Sequence, residues 1–192
     1  MDAVLRQWIQ GSTTKELSSC NFCSSIGVVY AGVKPAEILC VSAQRLNRCI
    51  LLRESLGFVV LRKCDGRYWL FVYHPERLEA TLRQHSLRSH LKKLGYDEEF
   101  TLEGYLSTLM FRLRHEAQFP HEIGFFLGYP MKDVLGFMGR IDLPLGKIQG
   151  WRMYGNTCSS EQLYRRVRRV KEEILHVARQ TQTKVCSSNY IL

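Results

Sequence analysis

No run in these 192 residues approaches the roughly 20 apolar positions that cross a bilayer, so no membrane-spanning helix is expected. Met1-Asp-Ala-Val-Leu-Arg-Gln-Trp8 has no basic stretch leading into an apolar one. No secretory signal is therefore expected, and the protein is expected in the cytoplasm. Tandem repeats, low-complexity tracts and obvious linkers are missing. So are the Walker loop, the Gly-x-Ser-x-Gly elbow, the His-Glu-x-x-His motif and the dinucleotide fingerprint. Gly124-x-x-x-Gly128 is too short and too apolar to replace one. These absences remove the best-marked nucleotide-binding and hydrolytic classes and leave no cofactor assigned. Acid is also scarce, with 18 Asp and Glu against 27 Lys and Arg.

Hydrophobic residues make up 45% and charged residues 23%, which suits one globular domain with a sizeable core. The seven cysteines are odd in number and irregularly spaced. Without a signal peptide they are expected as reduced thiols. The net charge of +9 favours acidic partners. Part of it is local: Arg165, Arg166, Arg168, Arg169 and Lys171 stand close together, as do Arg83, Arg88, Lys92 and Lys93 with His85 and His90.

Residues 1–18 read as a short helix and a polar segment, 19–180 as one domain, and 181–192 as a loosely ordered tail. Ala36–Ser42 is apolar and too short for periodicity to decide between strand and helix. Leu46, Cys49, Ile50, Arg53 and Leu56 sit at helical spacing, with Gly57 as a stop. Residues 58–64 and 67–73 are rich in β-formers and flank Asp65-Gly66, a two-residue hairpin signal. Helices are expected after Pro75, over about Leu87–Leu94, and after the N-cap Thr101. Ile123–Leu127 reads as a strand, Pro130 opens a short helix that Gly139 closes, and residues 150–154 read as a strand. Ser159 with Gln162 reads as a capping box before a last long helix. The class is α/β or α+β, a single domain whose mixed sheet contains the 58–73 hairpin and is flanked by helices.

The longest distinctive run is Phe119-Pro-His-Glu-Ile-Gly-Phe-Phe-Leu-Gly-Tyr-Pro-Met-Lys-Asp-Val-Leu-Gly-Phe137. It resembles the signature of a bacterial family, the domain of unknown function numbered 3793. Cys23-Ser24, Ala31-Gly-Val-Lys-Pro-Ala36, Leu70-Phe-Val-Tyr73, Leu94-Gly-Tyr96 and Gly150-Trp-Arg-Met-Tyr-Gly155 resemble further blocks of that family in the same order. The resemblance covers about residues 20–178. It implies no reaction and no ligand, only a setting among iron and redox proteins, flavodoxins included. The chain departs from the family pattern at Phe22, where many members carry His, and in a longer spacing to Ala31-Gly32. The missing His weakens a metal site there.

Lys34, Gly128, Tyr129, Trp151 and Tyr154, in the blocks shared with the family, are candidate ligand-binding residues. The Gly128-Tyr129-Pro130 turn is expected to present free amides to an anion. His121 is a candidate acid, base or ligand, with Glu122 as its orienter. The alternative is that Glu122 pairs with an arginine. On a strand, His121 and Glu122 stand about 15–20 Å from the turn, in a separate site. Cys20-x-x-Cys23 is half of a metal or redox pattern whose completion is absent, and His85 and His90 lie far off in sequence. Arg165, Arg166 and Arg169 form a candidate surface for an acidic partner such as a flavodoxin. No helix-turn-helix, ribonucleoprotein or zinc-finger motif supports nucleic acid instead. The functional expectation is a ligand- or partner-binding accessory protein in redox or metal physiology. An enzyme using His121 and Glu122, or a thiol–metal protein using Cys20 and Cys23, are the alternatives.

Overall fold

In the computed structural model, which describes residues 3–10 and 20–188, a three-stranded sheet lies between two helical layers. The strands are β1 (Ala36–Ser42), β2 (Gly57–Cys64) and β3 (Arg67–Tyr73), in the order β1-β3-β2. The 36–42 run is thus a strand. The hairpin forms as expected. Asp65 and Gly66 both have positive φ, +50° and +71°, the backbone that a tight two-residue turn between twisted strands requires. Every pairing is antiparallel, where the sequence reading expects a mixed sheet. The third strand arrives from the N-terminal side and pairs with β3 rather than through a parallel crossover.

The period-2 alternation of β3 sends Phe71 and Tyr73 to one face and Tyr68, Leu70 and Val72 to the other. On the first face pack α4 (Pro75–Leu82), α5 (His85–Lys92), α6 (Leu102–His115), α7 (Ile123–Phe126) and α8 (Met131–Phe137). On the second pack α1 (Ala3–Gln10), α2 (Cys20–Tyr30), α3 (Ala43–Cys49) and the long α9 (Cys158–Ser188). Each face buries its own cluster, one around Phe71, Tyr105 and Phe126, the other around Trp8, Ile26 and Leu52. A fully buried side chain of this size contributes about 1.5–3 kcal/mol. Close approach between α2 and α9 depends on Gly27, where a Cβ would lie 2.1 Å from Ile174 Cδ1.

Several boundaries differ from the sequence reading. The helix expected to reach Leu56 ends at Cys49, followed by a 3-10 turn over Ile50–Leu52, and Gly57 starts β2 instead of closing a helix. Gly57 fits there because a Cβ would strike the Tyr73 ring on the neighbouring strand. The capping box at Ser159 does not form. The last helix starts one residue earlier, where Asn156 Oδ1 accepts from the Cys158 amide. That helix also continues to Ser188, beyond Thr181, where the tail is expected to begin. A short hairpin of β4 (Leu145–Gln149) and β5 (Trp151–Tyr154) precedes it. β4 has no apolar alternation to announce it, and Leu145 and Ile148 are exposed. Among the described residues, no helix is long and apolar enough to cross a membrane.

The Ile123–Leu127 segment is helical, not a strand. Its amides bond back within the turn, Phe125 N to Glu122 O at 2.9 Å and Leu127 N to Ile123 O at 2.9 Å. All five residues are buried, so the run shows no amphipathic period and is too short to reveal one. The change matters for the site. A helix rises about 1.5 Å per residue against about 3.3 Å in a strand, so the two ends of this segment come close together.

Candidate ligand-binding cleft

Asp133, in the first turn of α8, organises one wall. It is 2% exposed. Oδ1 accepts from Lys132 Nζ at 2.6 Å and from the Tyr154 amide at 2.9 Å. Oδ2 accepts from Trp151 Nε1 at 2.8 Å and from Ser160 Oγ at 2.6 Å. Burial pushes this carboxyl up, but the hydrogen bonds from Lys132, Ser160, Trp151 and the Tyr154 amide outweigh it and hold it below the usual carboxylate range. Lys132 is saturated too, donating to the Tyr154 carbonyl at 2.7 Å and to Ser160 Oγ at 3.0 Å. Three elements, α8, β5 and α9, are thereby tied through one carboxylate.

The tie fixes the Trp151 indole, and the ring stacks on Tyr129 with centroids 4.9 Å apart and planes 26° apart. Behind Tyr129 lies Lys34, 5% exposed, its Nζ 4.8 Å from the ring centroid and 2.7 Å from Glu37 Oε2. Such a buried ammonium over an aromatic face is worth about 0.5–2 kcal/mol. The stack walls an open cleft of about 430 Å³, within the size range of small-molecule sites. Its floor is Ile38 from the sheet with Ile123, Leu127 and Val134 from the short helices. Phe119 and Phe137 complete the walls and are 56% and 43% exposed. His121 and Arg152 stand on the rim, both against Phe137: the imidazole centroid is 4.9 Å from that ring, edge-on, and Arg152 Cζ is 5.6 Å from its centroid.

The helical turn therefore brings His121, Tyr129 and Trp151 to one cleft, where a strand would separate them. Glu122 goes elsewhere. Its side chain is 2% exposed, with Oε1 2.9 Å from Arg112 Nη1 and 3.3 Å from the Tyr96 hydroxyl. It does not orient His121. It closes a core network in which Arg112 also meets Glu116 at 2.8 Å and the Leu94 carbonyl at 2.9 Å. Burial, and then the Glu122 carboxylate, push the Tyr96 hydroxyl upward. Gly128 has φ +75° and packs on Pro35, whose Cδ lies 2.4 Å from where a Cβ would stand. Gly128 is not among the residues that line the aromatic cleft; with Tyr129 and Pro130 it lines a separate hollow of about 440 Å³ beside Pro35 and Arg77. Tyr154 supports the wall from behind. Its amide and carbonyl hold Asp133 and Lys132, and its ring fills the space a Gly136 side chain would take.

The remaining candidates are dispersed. Cys23 is buried in the second core, while the side chain of Cys20 lies outside the described residues. Among the described residues, no three His, Cys, Asp or Glu side chains converge as a metal would require. Burial pushes the Cys49 thiol up to about 12, so it stays protonated and unreactive. His85 is exposed on α5, and His90 on the same helix lines a different hollow, with Lys93 and Arg140. Arg165 and Arg169 line a groove of about 350 Å³ between β4 and α9 with Lys147 and Arg168. Arg166 is exposed but is not among the groove's residues. Glu161, Glu172 and Glu173 pair with Arg165, Arg168 and Arg169 at 3.4, 2.8 and 3.0 Å.

Sequence reasoning misses Phe119, Asp133, Phe137 and Arg152 as site residues. A signal for Asp133 is present, an acid directly before the apolar run Val-Leu-Gly-Phe. The phenylalanines look like core in sequence, and only the fold shows them exposed.

Fold and site together define a three-layer α/β/α protein with an antiparallel central sheet and a preformed aromatic cleft. The chain belongs to the family described as Protein of unknown function (DUF3793), whose model matches residues 22–186. No curated protein and no solved structure matches it.

Proposed function

We propose that this protein binds a small planar organic molecule in the aromatic cleft. The observation that carries the reading is the Tyr129–Trp151 stack, locked by the buried Asp133 and facing open space beside two exposed phenylalanines. A wall fixed before the ligand arrives avoids the entropic cost of ordering it on binding. Among the described residues Cys40, Cys49, Cys64 and Cys158 form no disulfide, in keeping with a reducing compartment such as the cytoplasm. The enzyme reading with His121 and Glu122 as partners loses its orienter to Arg112. The Cys20–Cys23 metal reading gains no further ligand among the described residues.

Calorimetric titration with naphthalene-1-carboxamide and 1-naphthoate tests the reading. Saturable binding on the order of 10⁻⁴ M is expected for ligands of this size. Weakening by at least about fivefold is expected in Phe137→Ala, which removes one wall. Absence of saturable binding by both compounds would reject the cleft as a small-molecule site.

A second reading has its own support. Lys147, Arg165, Arg168 and Arg169 share one groove and suit an acidic partner, such as a flavodoxin in the redox setting that the family resemblance implies. The on-helix glutamates weaken it. Titration with purified flavodoxin at about 50 and about 300 mM salt tests it, since a steered complex weakens steeply with ionic strength. Binding indifferent to salt or to Arg165→Ala with Arg169→Ala would remove it.

A further inference from the structure

We infer that the ligand of the cleft is an anion, an aromatic carboxylic acid or its close equivalent, whose ring enters between Phe137 and Trp151 and whose acid group meets Arg152 and His121 at the rim. The inference rests on the reading of the cleft as a small-molecule site and adds the chemical class of its occupant.

Three observations carry it. The first is the fate of the one acidic side chain in the cleft. Both oxygens of Asp133 already take two donors each, which uses its lone pairs. It has nothing to offer a cationic ligand or a ligand's hydroxyl. The second is the state of the two nitrogen-bearing side chains at the rim. Among the described residues neither Arg152 nor His121 makes an ion pair, a state Arg152 shares with other arginines such as Arg62 and Arg140, but here beside an apolar cleft. The third is their placement. Both rest on the same Phe137 ring, at 4.9 and 5.6 Å, one side chain from the open mouth. A guanidinium held over an aromatic face keeps its planar fork of donors, and a carboxylate matches that fork with two parallel hydrogen bonds. The apolar floor then receives the ring that carries the acid.

The pair 1-naphthoate and naphthalene-1-carboxamide separates this inference from the reading beneath it, because the two have nearly the same shape and differ in charge. At pH 7 and low salt the naphthoate is expected to bind at least about fivefold tighter, a typical margin for one charge-assisted contact. In Arg152→Gln the ratio of the two dissociation constants is expected to fall towards one. In Arg152→Lys, which keeps the charge and loses the fork, part of the preference is expected to return. Arg152 is exposed on the β4–β5 hairpin, so the variants are expected to fold, checked by an unchanged urea midpoint. Equal binding of the two compounds, or a preference that survives Arg152→Gln, overturns the anion assignment and leaves the small-molecule site standing. Binding by neither compound overturns both.

Discussion

Two positively charged surfaces of this molecule differ in how much of their charge is free. The groove along α9 holds more arginines, yet Glu161, Glu172 and Glu173 stand one helical turn from their partners and neutralise much of it. The aromatic cleft shows only Arg152 and His121, and neither is spent on a carboxylate of the described chain. The groove is lined almost wholly by charged and polar side chains of a single helix and a short strand. The cleft is built from β1, α7, α8 and β5 and anchored through a buried acid. Counting cations in a sequence therefore does not show which surface sets unpaired charge beside a rigid wall. What decides is which cations lack partners, and what rigid surface stands next to them.

The largest effect that sharpens this contrast is expected at the anchor. Asp133→Ala removes the acceptor of the Trp151 indole N–H, the Ser160 hydroxyl and the Tyr154 amide, and leaves the half-buried Lys132 ammonium only the Tyr154 carbonyl and Ser160 Oγ. A loss of about 1–3 kcal/mol is expected, the cost of leaving buried donors without their acceptor, read from urea unfolding. Binding of naphthoate should disappear with the wall. A stability near that of the parent would mean the network does not hold the cleft.

Acidification is the next test. Asp133 titrates lower in the folded chain than in the unfolded one, where the usual value is about 3.9. Its contribution is therefore fully present above the unfolded value and is lost as pH falls through the folded one. The urea midpoint is expected to drop on going from about pH 6 to about pH 3, and to drop less steeply in Asp133→Asn. An equal slope in the two proteins would assign the acid sensitivity to other carboxylates.

How far the sequence reveals all this depends on the element. The β2–β3 hairpin is legible because Asp-Gly and alternating β-formers agree, and Thr101 is legible as a cap because Gly104 donates to its hydroxyl as the pattern implies. The short helix at Ile123 is not, since burial on every side erases its period. The site is legible in part. His121, Tyr129 and Trp151 stand out as residue types in a distinctive run. Glu122 misleads because it is the sequence neighbour of His121, while the helical turn sends the two side chains to the core network and to the rim. Phe137 and Arg152 gain meaning only when β5 swings next to α8, a tertiary event with no local trace.

The smallest effect is expected on the other surface. Arg165→Ala with Arg169→Ala breaks two exposed on-helix pairs, so stability should change by no more than about 1 kcal/mol and naphthoate binding should not move. A loss of naphthoate binding there would place the ligand in the groove.

The most direct test of the cleft is the indole N–H spectrum of ¹⁵N-labelled protein during addition of 1-naphthoate. The chain has three tryptophans, and Trp151→Phe identifies the resonance that matters. The account predicts that the Trp151 resonance shifts and saturates while those of Trp8 and Trp69 stay in place. A still Trp151 resonance beside a moving Trp69, or no movement at all, would contradict it.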